Sequence, residues 1–283
     1  MGKILAVWSD SRKSGKSIIT YMLANQMAHN RNLKVLVCCL NFRNSSLYRL
    51  FGIDTSATGL EDLINYKFYR GIEEDILKSI VPRCGDIYFL GSNKMTNGYA
   101  LRYLEKYTEL FEMLKNFFDL IIIDTSSDDE NVLTKMVIHR AELILKLYCQ
   151  DIESLIKLKI IKEEDTPYNQ ESVYIISKYH DIYPKKLDLK RTFRNCKLFI
   201  FDYCETLQEM KNRDSLHLYL QRDTAYNRSI GKLSDYLMEV LNLSEKADFV
   251  NKSAVEGKGV ERLFRRLGNT VLNKHVSLRS KTL

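Results

Sequence analysis

Gly15, Lys16 and Ser17 have the clearest chemical potential in this sequence, because they follow an apolar segment, Ile4–Trp8, and precede a helical pattern. At such a strand-to-helix turn, backbone N–H groups surround phosphate oxygens, a lysine reaches the β and γ phosphates, and a hydroxyl binds Mg²⁺. The first glycine of the usual G-x-x-x-x-G-K-[ST] pattern is Asp10 here. The segment predicts a nucleotide site, with a purely structural turn as the alternative. The predicted nucleotide-binding residues of the loop are Ser11, Arg12, Lys13, Ser14, Gly15, Lys16, Ser17 and Ile18.

An acidic side chain at the end of a second apolar run meets the other requirement of such a site. Phe118–Thr125 reads FDLIIIDT, so three isoleucines lead directly to Asp124. Ligands of open α/β sheets bind at the carboxyl ends of the strands, where a carboxylate holds Mg²⁺ or its water shell. We therefore predict Ser17 and Asp124 as the metal residues. The alternative is that Asp124 is a solvated loop residue.

Seven short apolar runs must position these residues. They are rich in β-branched side chains and are hydrophobic throughout, which is typical of parallel strands covered by helices on both faces. Helical spacing recurs between them. This β-α order predicts an α/β fold, a doubly wound and mostly parallel sheet of about seven strands with helices on both faces. The predicted strands are Ile4–Trp8, Val35–Leu40, Ile87–Leu90, Leu120–Ile123, Leu143–Leu147, Val173–Ile176 and Leu198–Phe201.

Composition places the 283-residue chain among ordinary globular proteins, since 45% of the residues are hydrophobic and 28% are charged. These values exclude the disordered, collagen-like and low-complexity classes. No apolar run approaches the roughly 20 residues of a membrane-spanning helix. The apolar stretch after Met1 is too short for a signal-peptide core, so we expect a cytoplasmic protein. The six cysteines are scattered, and four of them lie in or beside strand-like apolar runs rather than at metal-ligand spacings, so we expect buried, reduced thiols.

Positive charge is concentrated near the C-terminus. The chain has a formal net charge of +7, and residues 252–283 carry eight basic and two acidic side chains, so the rest is nearly neutral. The β-α pattern stops at about residue 244, and Ser253–Gly259 has the composition of a flexible linker. We predict a nucleotide-binding domain at 1–245 and, at 246–283, a linker with a basic amphipathic segment.

The amphipathic segment has apolar side chains at helical spacing, with cations largely on other faces. Such a helix suits an anionic membrane surface, where each nearby cation adds about 1 kcal/mol. The alternatives are a terminal helix packed on the sheet and a DNA-binding tail. A second cationic run, Lys185–Arg194, suits nonspecific contacts with DNA phosphates or is a solvated helix face. The residues predicted to contact a membrane or a partner are Arg262, Leu263, Phe264, Arg265, Arg266 and Leu267.

The order and spacing of five segments resemble the ParA/MinD group of P-loop ATPases, and within it the TadZ/CpaE pilus-localisation proteins. The resemblance covers about residues 1–245. It implies a Rossmann-like P-loop domain that uses ATP and Mg²⁺, forms a homodimer when ATP is bound, and docks on a membrane site or on a pilus or secretion apparatus. The matching segments are Lys3–Trp8, Ser14–Ser17, Leu47–Gly52, Thr58–Leu63 and Asp119–Thr125.

The phosphate loop departs from the pattern of that family, K-G-G-x-G-K-[ST]. In the family, the first lysine crosses the dimer interface to the partner's nucleotide. Here Ser11 occupies the position of that lysine, and Arg12 and Lys13 occupy the positions of the two glycines. Because a long cationic side chain one or two residues away also reaches a phosphate, we expect Arg12 or Lys13 to replace the missing lysine.

The segment after the second strand departs as well. The family reads D-x-D there and uses an aspartate to position the attacking water, whereas this chain has Cys39 and Asn41. Neither accepts a proton as a carboxylate does, although an asparagine orients water by hydrogen bonding. We therefore expect slow or absent hydrolysis, with Asn41 as a degenerate water-positioning residue. Asp128 and Asp129 are an alternative source of a catalytic carboxylate, or else an acidic start to a helix that runs from Glu130.

The resemblance also implies where the base of the nucleotide binds. Members of the family use residues after the sixth and seventh strands, which here are Ser177–Lys178 and Asp202–Tyr203. The family commonly has Asn and a Pro-containing loop there, so the correspondence is loose. We predict that Lys178, Asp202 and Tyr203 contact the nucleotide, with Tyr203 either stacked on the purine or serving only to pack the core.

Three functions are compatible with these patterns. The first is an ATP-binding positioning protein with a nucleotide-dependent dimer switch, cytoplasmic or peripheral at the inner face of the membrane. The second is a degenerate, non-hydrolysing ATPase that acts as a scaffold for a pilus or secretion system, which Cys39 and Asn41 favour. The third is a ParA-like DNA-partitioning protein, which the nearly neutral body disfavours.

Overall fold

A computed structural model of the protein describes residues 1–9, 11–42, 45–70, 73–92, 94–128, 130–153, 156 and 171–245. These residues belong to one compact unit, Met1–Glu245. The predicted boundary after residue 245 stays a prediction. Asp129 and the tail lie outside the described residues, and so do the predicted membrane or partner contacts of Arg262, Leu263, Phe264, Arg265, Arg266 and Leu267.

A central sheet carries the fold. The strands are β1 Lys3–Trp8, β2 Val35–Cys39, β3 Arg83–Cys84, β4 Ile87–Leu90, β5 Leu120–Asp124, β6 Leu143–Tyr148, β7 Ser172–Tyr179 and β8 Lys197–Asp202. Their order in the sheet is β3-β4-β2-β5-β1-β6-β7-β8, and every neighbouring pair is parallel except β3 and β4. The predicted doubly wound α/β fold is confirmed, and all seven predicted strands form. The additional strand, β3, is two residues long and too short to show a periodicity in sequence.

Helices cover both faces of the sheet. Leu5 and Val7 of β1 contribute to one apolar layer, and Ile4 and Ala6 contribute to the other. Both sides of the strand are therefore buried, which explains its unbroken apolar sequence. The helices are α1 Lys16–Asn25, continued by a π-helical turn at Gln26–Asn30, α2 Ser46–Leu50, α3 Leu60–Arg70, α4 Glu74–Ile80, α5 Asn97–Arg102, α6 Leu104–Leu114, α7 Val132–Arg140, α8 Lys186–Thr192, α9 Glu205–Asn212, α10 His217–Leu220 and α11 Ala225–Val240.

The strand register sets the position of the site. Asp124 at the end of β5 pairs with Cys39 of β2 on one side and with Val7 of β1 on the other. The carboxyl ends of these three central strands therefore lie at the same height. As a result, the loops after β1, β2 and β5 meet at one edge of the sheet.

All six cysteines are free. Cys38 and Cys39 lie in the buried strand β2, as predicted. The expectation of buried thiols is wrong for the other four, which are only partly buried because they lie at strand ends or outside the central strands: Cys84, Cys149, Cys196 and Cys204. In the part of the chain that the structure describes, no helix has both the length and the apolar character needed to cross a bilayer.

Candidate functional site

The loop between β1 and α1 has the geometry of an anion-binding turn. Gly15 has φ 93° and ψ 3°, in the left-handed region that glycine adopts without strain, and Lys16 begins α1 directly after it. The carbonyl oxygen of Gly15 accepts hydrogen bonds from the backbone N–H groups of Ile18 and Ile19, both at 3.0 Å. Gly15 provides no side-chain cap. The positive end of the α1 dipole therefore faces the loop, as phosphate binding requires.

The buried Lys16 joins the phosphate loop to the segment after β5. Its Nζ donates hydrogen bonds to the carbonyl oxygen of Thr125 at 2.8 Å and to Oγ of Ser127 at 2.6 Å. The Ser127 hydroxyl in turn donates to the carbonyl oxygen of Ser11 at 3.2 Å. Both of these acceptors for the ammonium group are neutral. A phosphate oxygen would be the stronger acceptor, because hydrogen bonds between ionised groups are shorter and stronger than those to neutral ones.

Ser17 and Asp124, the predicted metal residues, are in direct contact. Ser17 Oγ donates a hydrogen bond to Asp124 Oδ2 at 3.1 Å. Burial raises the pKa of Asp124 to about 6, although the nearby Lys16 ammonium group and the bond from Ser17 both lower it. The other carboxylate oxygen, Oδ1, is buried without a hydrogen-bond partner among the described residues. A hydroxyl and an unpaired buried carboxylate oxygen form a donor set that fits Mg²⁺ or one of its water ligands.

The end of β7 supports the loop from its other side. Ser177 Oγ donates to the carbonyl oxygen of Ser14, and Lys178 Nζ donates to the carbonyl oxygen of Lys13 at 2.6 Å. The hydroxyl of Ser14 is buried and has no hydrogen-bond partner in the described ranges. It is therefore a further polar group available to a bound anion. Neither contact of β7 with the loop follows from the sequence pattern, which assigns Ser177–Lys178 only to the base.

A narrow cleft beside the loop gathers several predicted residues from distant parts of the chain. The cleft holds only about 20 Å³, roughly one water molecule, so a purine would enter only if side chains moved. Asp202 pairs with Lys186 at 2.9 Å, and Tyr203 stacks on His180 with a centroid distance of 4.7 Å. The predicted residues in its lining are Gly15, Ile18, Lys178, Asp202 and Tyr203. Ser177, which the family pattern also assigns to the base, lines the cleft as well. No sequence pattern indicates the remaining lining residues: Ile19, Cys204, Leu207, Gln208 and Tyr226.

No family model matches the sequence, and no curated protein matches it. Solved structures do share its fold. The ParA family ATPase of Chlorobium tepidum aligns with a TM-score of 0.69 at 15% identity, over 83% of this chain and 98% of that one. The septum site-determining protein MinD of Pyrococcus horikoshii, complexed with Mg-ADP, aligns with a TM-score of 0.66 at 15% identity, over 87% of this chain and 100% of that one. A variant of Cyanothece McdA in complex with ATP aligns with a TM-score of 0.61 at 18% identity, over 87% of this chain and 99% of that one. The chain has the ParA/MinD-type ATPase fold.

The ParA/MinD-type fold confirms the resemblance at the level of architecture. Identities of 15 to 18% show the fold alone. The narrower resemblance to the TadZ/CpaE proteins stays a prediction. Arg12 and Lys13, the proposed replacements for the signature lysine, have exposed side chains in the phosphate loop.

Of the two departures from the ParA/MinD pattern near the end of β2, Cys39 lies beside Asp124. Cys39 is fully buried, and the pKa of its thiol is raised to about 12. Burial is the main cause, and the adjacent Asp124 carboxylate is the second. The thiol is therefore neutral near pH 7 and does not act as a base. Asn41 is partly buried and lies two residues further on, just past the end of β2.

Asp128 organises the turn before α7. Its carboxylate accepts a hydrogen bond from the backbone N–H of Glu130, and its own N–H donates to Ser126 Oγ, both at 3.1 Å. The predicted helix start at Glu130 is wrong. The helix begins at Val132, because Asn131 caps it by accepting a hydrogen bond from the N–H of Thr134 at 2.8 Å. A catalytic role for Asp128 stays a prediction.

Proposed function

We propose that this chain binds ATP with Mg²⁺ and acts as a nucleotide-dependent positioning protein. The observation that carries the proposal is the arrangement of Lys16, Ser17 and Asp124 around the left-handed Gly15, at the carboxyl edge of the sheet. The ligand class is supported by proteins of the same fold, since MinD of Pyrococcus horikoshii is complexed with Mg-ADP and the Cyanothece McdA variant with ATP.

Each residue of the arrangement has a definite part in binding. Lys16 exchanges the neutral acceptors on Thr125 and Ser127 for oxygens of the β and γ phosphates. Ser17 and Asp124 hold the metal, and Asp124 is ionised when they do so, because an adjacent cation lowers the pKa of a carboxyl group. When bound, Mg²⁺ neutralises charge on the phosphates.

We expect weak or absent hydrolysis. The neutral thiol of Cys39 occupies one position of the family's acidic pair, and Asn41 at the other orients water without accepting its proton. A second candidate function is therefore a non-hydrolysing scaffold for a pilus or secretion system, of the TadZ/CpaE kind. In that case the bound nucleotide serves to stabilise the protein.

The proposal includes a homodimer in the ATP-bound state. Arg12 and Lys13 are exposed in the loop, and either side chain would reach the nucleotide of the second copy in place of the missing lysine. The dimer would then dock on an anionic membrane or on a pilus or secretion apparatus through the tail segment Arg262–Leu267. Docking on DNA is the less favoured outcome.

Titration of a fluorescent ATP analogue with the full chain tests the binding step. With Mg²⁺ present, we expect Lys16→Ala to weaken binding by about 100-fold, because a charge-assisted contact with phosphate is lost. Lys232→Ala, at an exposed lysine of α11, is the control and should bind as the wild type does. The proposal fails if the wild-type chain does not bind the analogue.

Two further measurements on the same protein test the other parts of the proposal, which are weak hydrolysis and the ATP-dependent dimer. Phosphate release distinguishes slow turnover from none, and a robust Mg²⁺-dependent rate would contradict the expected weak hydrolysis. Gel filtration with ATP and with ADP measures the dimer. Arg12→Ala and Lys13→Ala should reduce the ATP-dependent dimer, and unchanged dimerisation in both variants would exclude a cross-subunit role for these residues.

A further inference from the structure

A surface near the cleft exposes apolar side chains that a globular protein would ordinarily bury. Ile182 is 58% exposed, Tyr183 is 71% exposed and Leu187 is 59% exposed. Single exposed apolar residues are common on protein surfaces. These three lie within six residues of the chain and are called the patch below. A concentration of exposed apolar side chains is a feature of interaction sites.

The helix that follows this loop, α8, has two distinct faces. Leu189 and Phe193 are buried in a small apolar cluster against β6 and β7. The opposite face carries one exposed apolar residue among cations. Leu187, Lys190 and Arg191 have the spacing i, i+3 and i+4 on this face, and all three are exposed. Arg194, which is also exposed, lies in the turn after the helix.

The surroundings of this patch are strongly positive. Residues 180–197 contain six basic and two acidic side chains, a net charge of +4, whereas the other residues of the segment 1–251 sum to −3. Ion pairs join Lys185 to Asp181 at 3.0 Å and Lys186 to Asp202 at 2.9 Å. Both ion pairs are exposed to solvent and weak, so each lysine can leave its carboxylate for another anion. They therefore do not remove the local excess of cations.

We propose that the surface formed by Ile182–Leu187 and the exposed face of α8 docks on an anionic phospholipid membrane. Lipid headgroups attract the cations, and the interfacial region accepts the apolar and aromatic side chains. DNA phosphates would use the cations but would leave Ile182 and Leu187 in water. The proposed function places docking on the tail segment Arg262–Leu267 of an ATP-bound dimer. This proposal goes beyond it, because the membrane contact lies on a different surface and requires no bound nucleotide.

Co-sedimentation of the full chain with vesicles tests this proposal. The vesicles contain phosphatidylcholine alone or phosphatidylcholine with about one third phosphatidylserine. We expect binding to the anionic vesicles only. Lys190→Glu combined with Arg191→Glu should weaken that binding at least about 20-fold, since each cation contributes about fivefold. Ile182→Ser combined with Leu187→Ser should weaken it by about tenfold, through loss of inserted apolar surface.

Matched controls lie elsewhere on the protein. Leu101 is 61% exposed on α5, and Arg102 beside it is also exposed. Leu101→Ser and Arg102→Glu should leave vesicle binding unchanged. Each variant's thermal unfolding midpoint is measured as well, and we expect no change because every substituted side chain is exposed. The tail is tested separately with Arg265→Glu and Arg266→Glu in the full chain.

Four results would overturn the proposal. The first is wild-type binding that does not distinguish the two kinds of vesicle, or that is absent. The second is loss of vesicle binding in the tail variants but not in the α8 variants. The third is binding to duplex DNA, and not to vesicles, that depends on the cations of α8. The fourth is a change in oligomeric state, without vesicle binding, when Ile182 and Leu187 become serine, because the patch would then be an interface between two copies.

Discussion

Lys178 donates a hydrogen bond from its Nζ to the carbonyl oxygen of Lys13 at 2.6 Å, across 165 positions of the chain. Lys13 has φ 62°, a left-handed conformation that costs a non-glycine residue about 1 kcal/mol. Ser177 binds the next carbonyl, that of Ser14. The carbonyl of Lys13 shares a peptide with the N–H of Ser14, and the carbonyl of Ser14 shares the next peptide with the N–H of Gly15. Because C=O and N–H of a trans peptide point in opposite directions, both contacts turn these two N–H groups away from β7. β7 thus supports the loop at Lys13, a position where the ParA/MinD pattern has glycine.

Removing this contact should weaken nucleotide binding without unfolding the protein. We expect Lys178→Met to lower the affinity for the ATP analogue about fivefold, the contribution of one hydrogen bond. Lys13→Gly in the same background should restore the affinity, because glycine adopts φ 62° without strain. Lys178→Arg is the conservative control. If Lys13→Gly fails to restore the affinity of Lys178→Met, Lys178 acts on the nucleotide directly and not through the loop.

Asp124 should destabilise the metal-free protein at neutral pH. The folded-state pKa is about 6 against an ordinary value of 3.8, so ionisation costs more in the folded state than in the unfolded state. The penalty is absent below about pH 4 and is complete above pH 6. We expect Asp124→Asn to raise the free energy of unfolding by on the order of 2 kcal/mol at about pH 8 and not at about pH 4.

Urea unfolding in the presence of a metal chelator measures this difference at both pH values. The same variant should lose Mg²⁺-dependent nucleotide binding, so that stability and function change in opposite directions. An equal effect of the substitution at both pH values would show that Asp124 does not titrate between them.

A carboxylate after β2 should increase turnover. We expect Asn41→Asp to raise the rate of phosphate release by about tenfold or more, because a general base assists the attacking water. Asn41→Ala is the control and should lower any residual rate. Cys39 is a poor site for this test, since a carboxylate would be fully buried there beside Asp124. Unchanged turnover of Asn41→Asp with intact nucleotide binding would place the water-positioning function elsewhere.

The buried hydroxyl of Tyr107 should cost stability. Its Oη has no hydrogen-bond partner among the described residues, and burial raises the pKa of the phenol above its usual range. We expect Tyr107→Phe to raise the free energy of unfolding by about 1 kcal/mol. Tyr219→Phe is the matched control, because the Tyr219 hydroxyl lies 3.2 Å from Cys204 Sγ and its loss should lower stability. Equal destabilisation by both substitutions would mean that Tyr107 also has a partner.

Local sequence predicts the elements of the site well. Parallel strands buried on both faces have unbroken apolar sequences, so the segments ending at Trp8 and Asp124 are identifiable without further information. Gly15, Lys16 and Ser17 are recognisable by type and spacing. The two-residue β3 and the start of α7 are not predictable in this way. A strand so short has no periodicity, and the cap at Asn131 competes with other polar residues nearby.

The sequence by itself determined which segments are strands and helices and which residues are candidates for phosphate binding, because hydrophobic periodicity and residue chemistry are local properties. Only the tertiary structure decided which of these residues meet. Ser17 and Asp124 are 107 positions apart and come within 3.1 Å because β5 lies beside β1 in the sheet. The support of Lys13 by Lys178 and the exposure of Ile182 and Leu187 were decided in the same way. Strand order and burial depend on the packing of the whole chain, and no short segment specifies that packing.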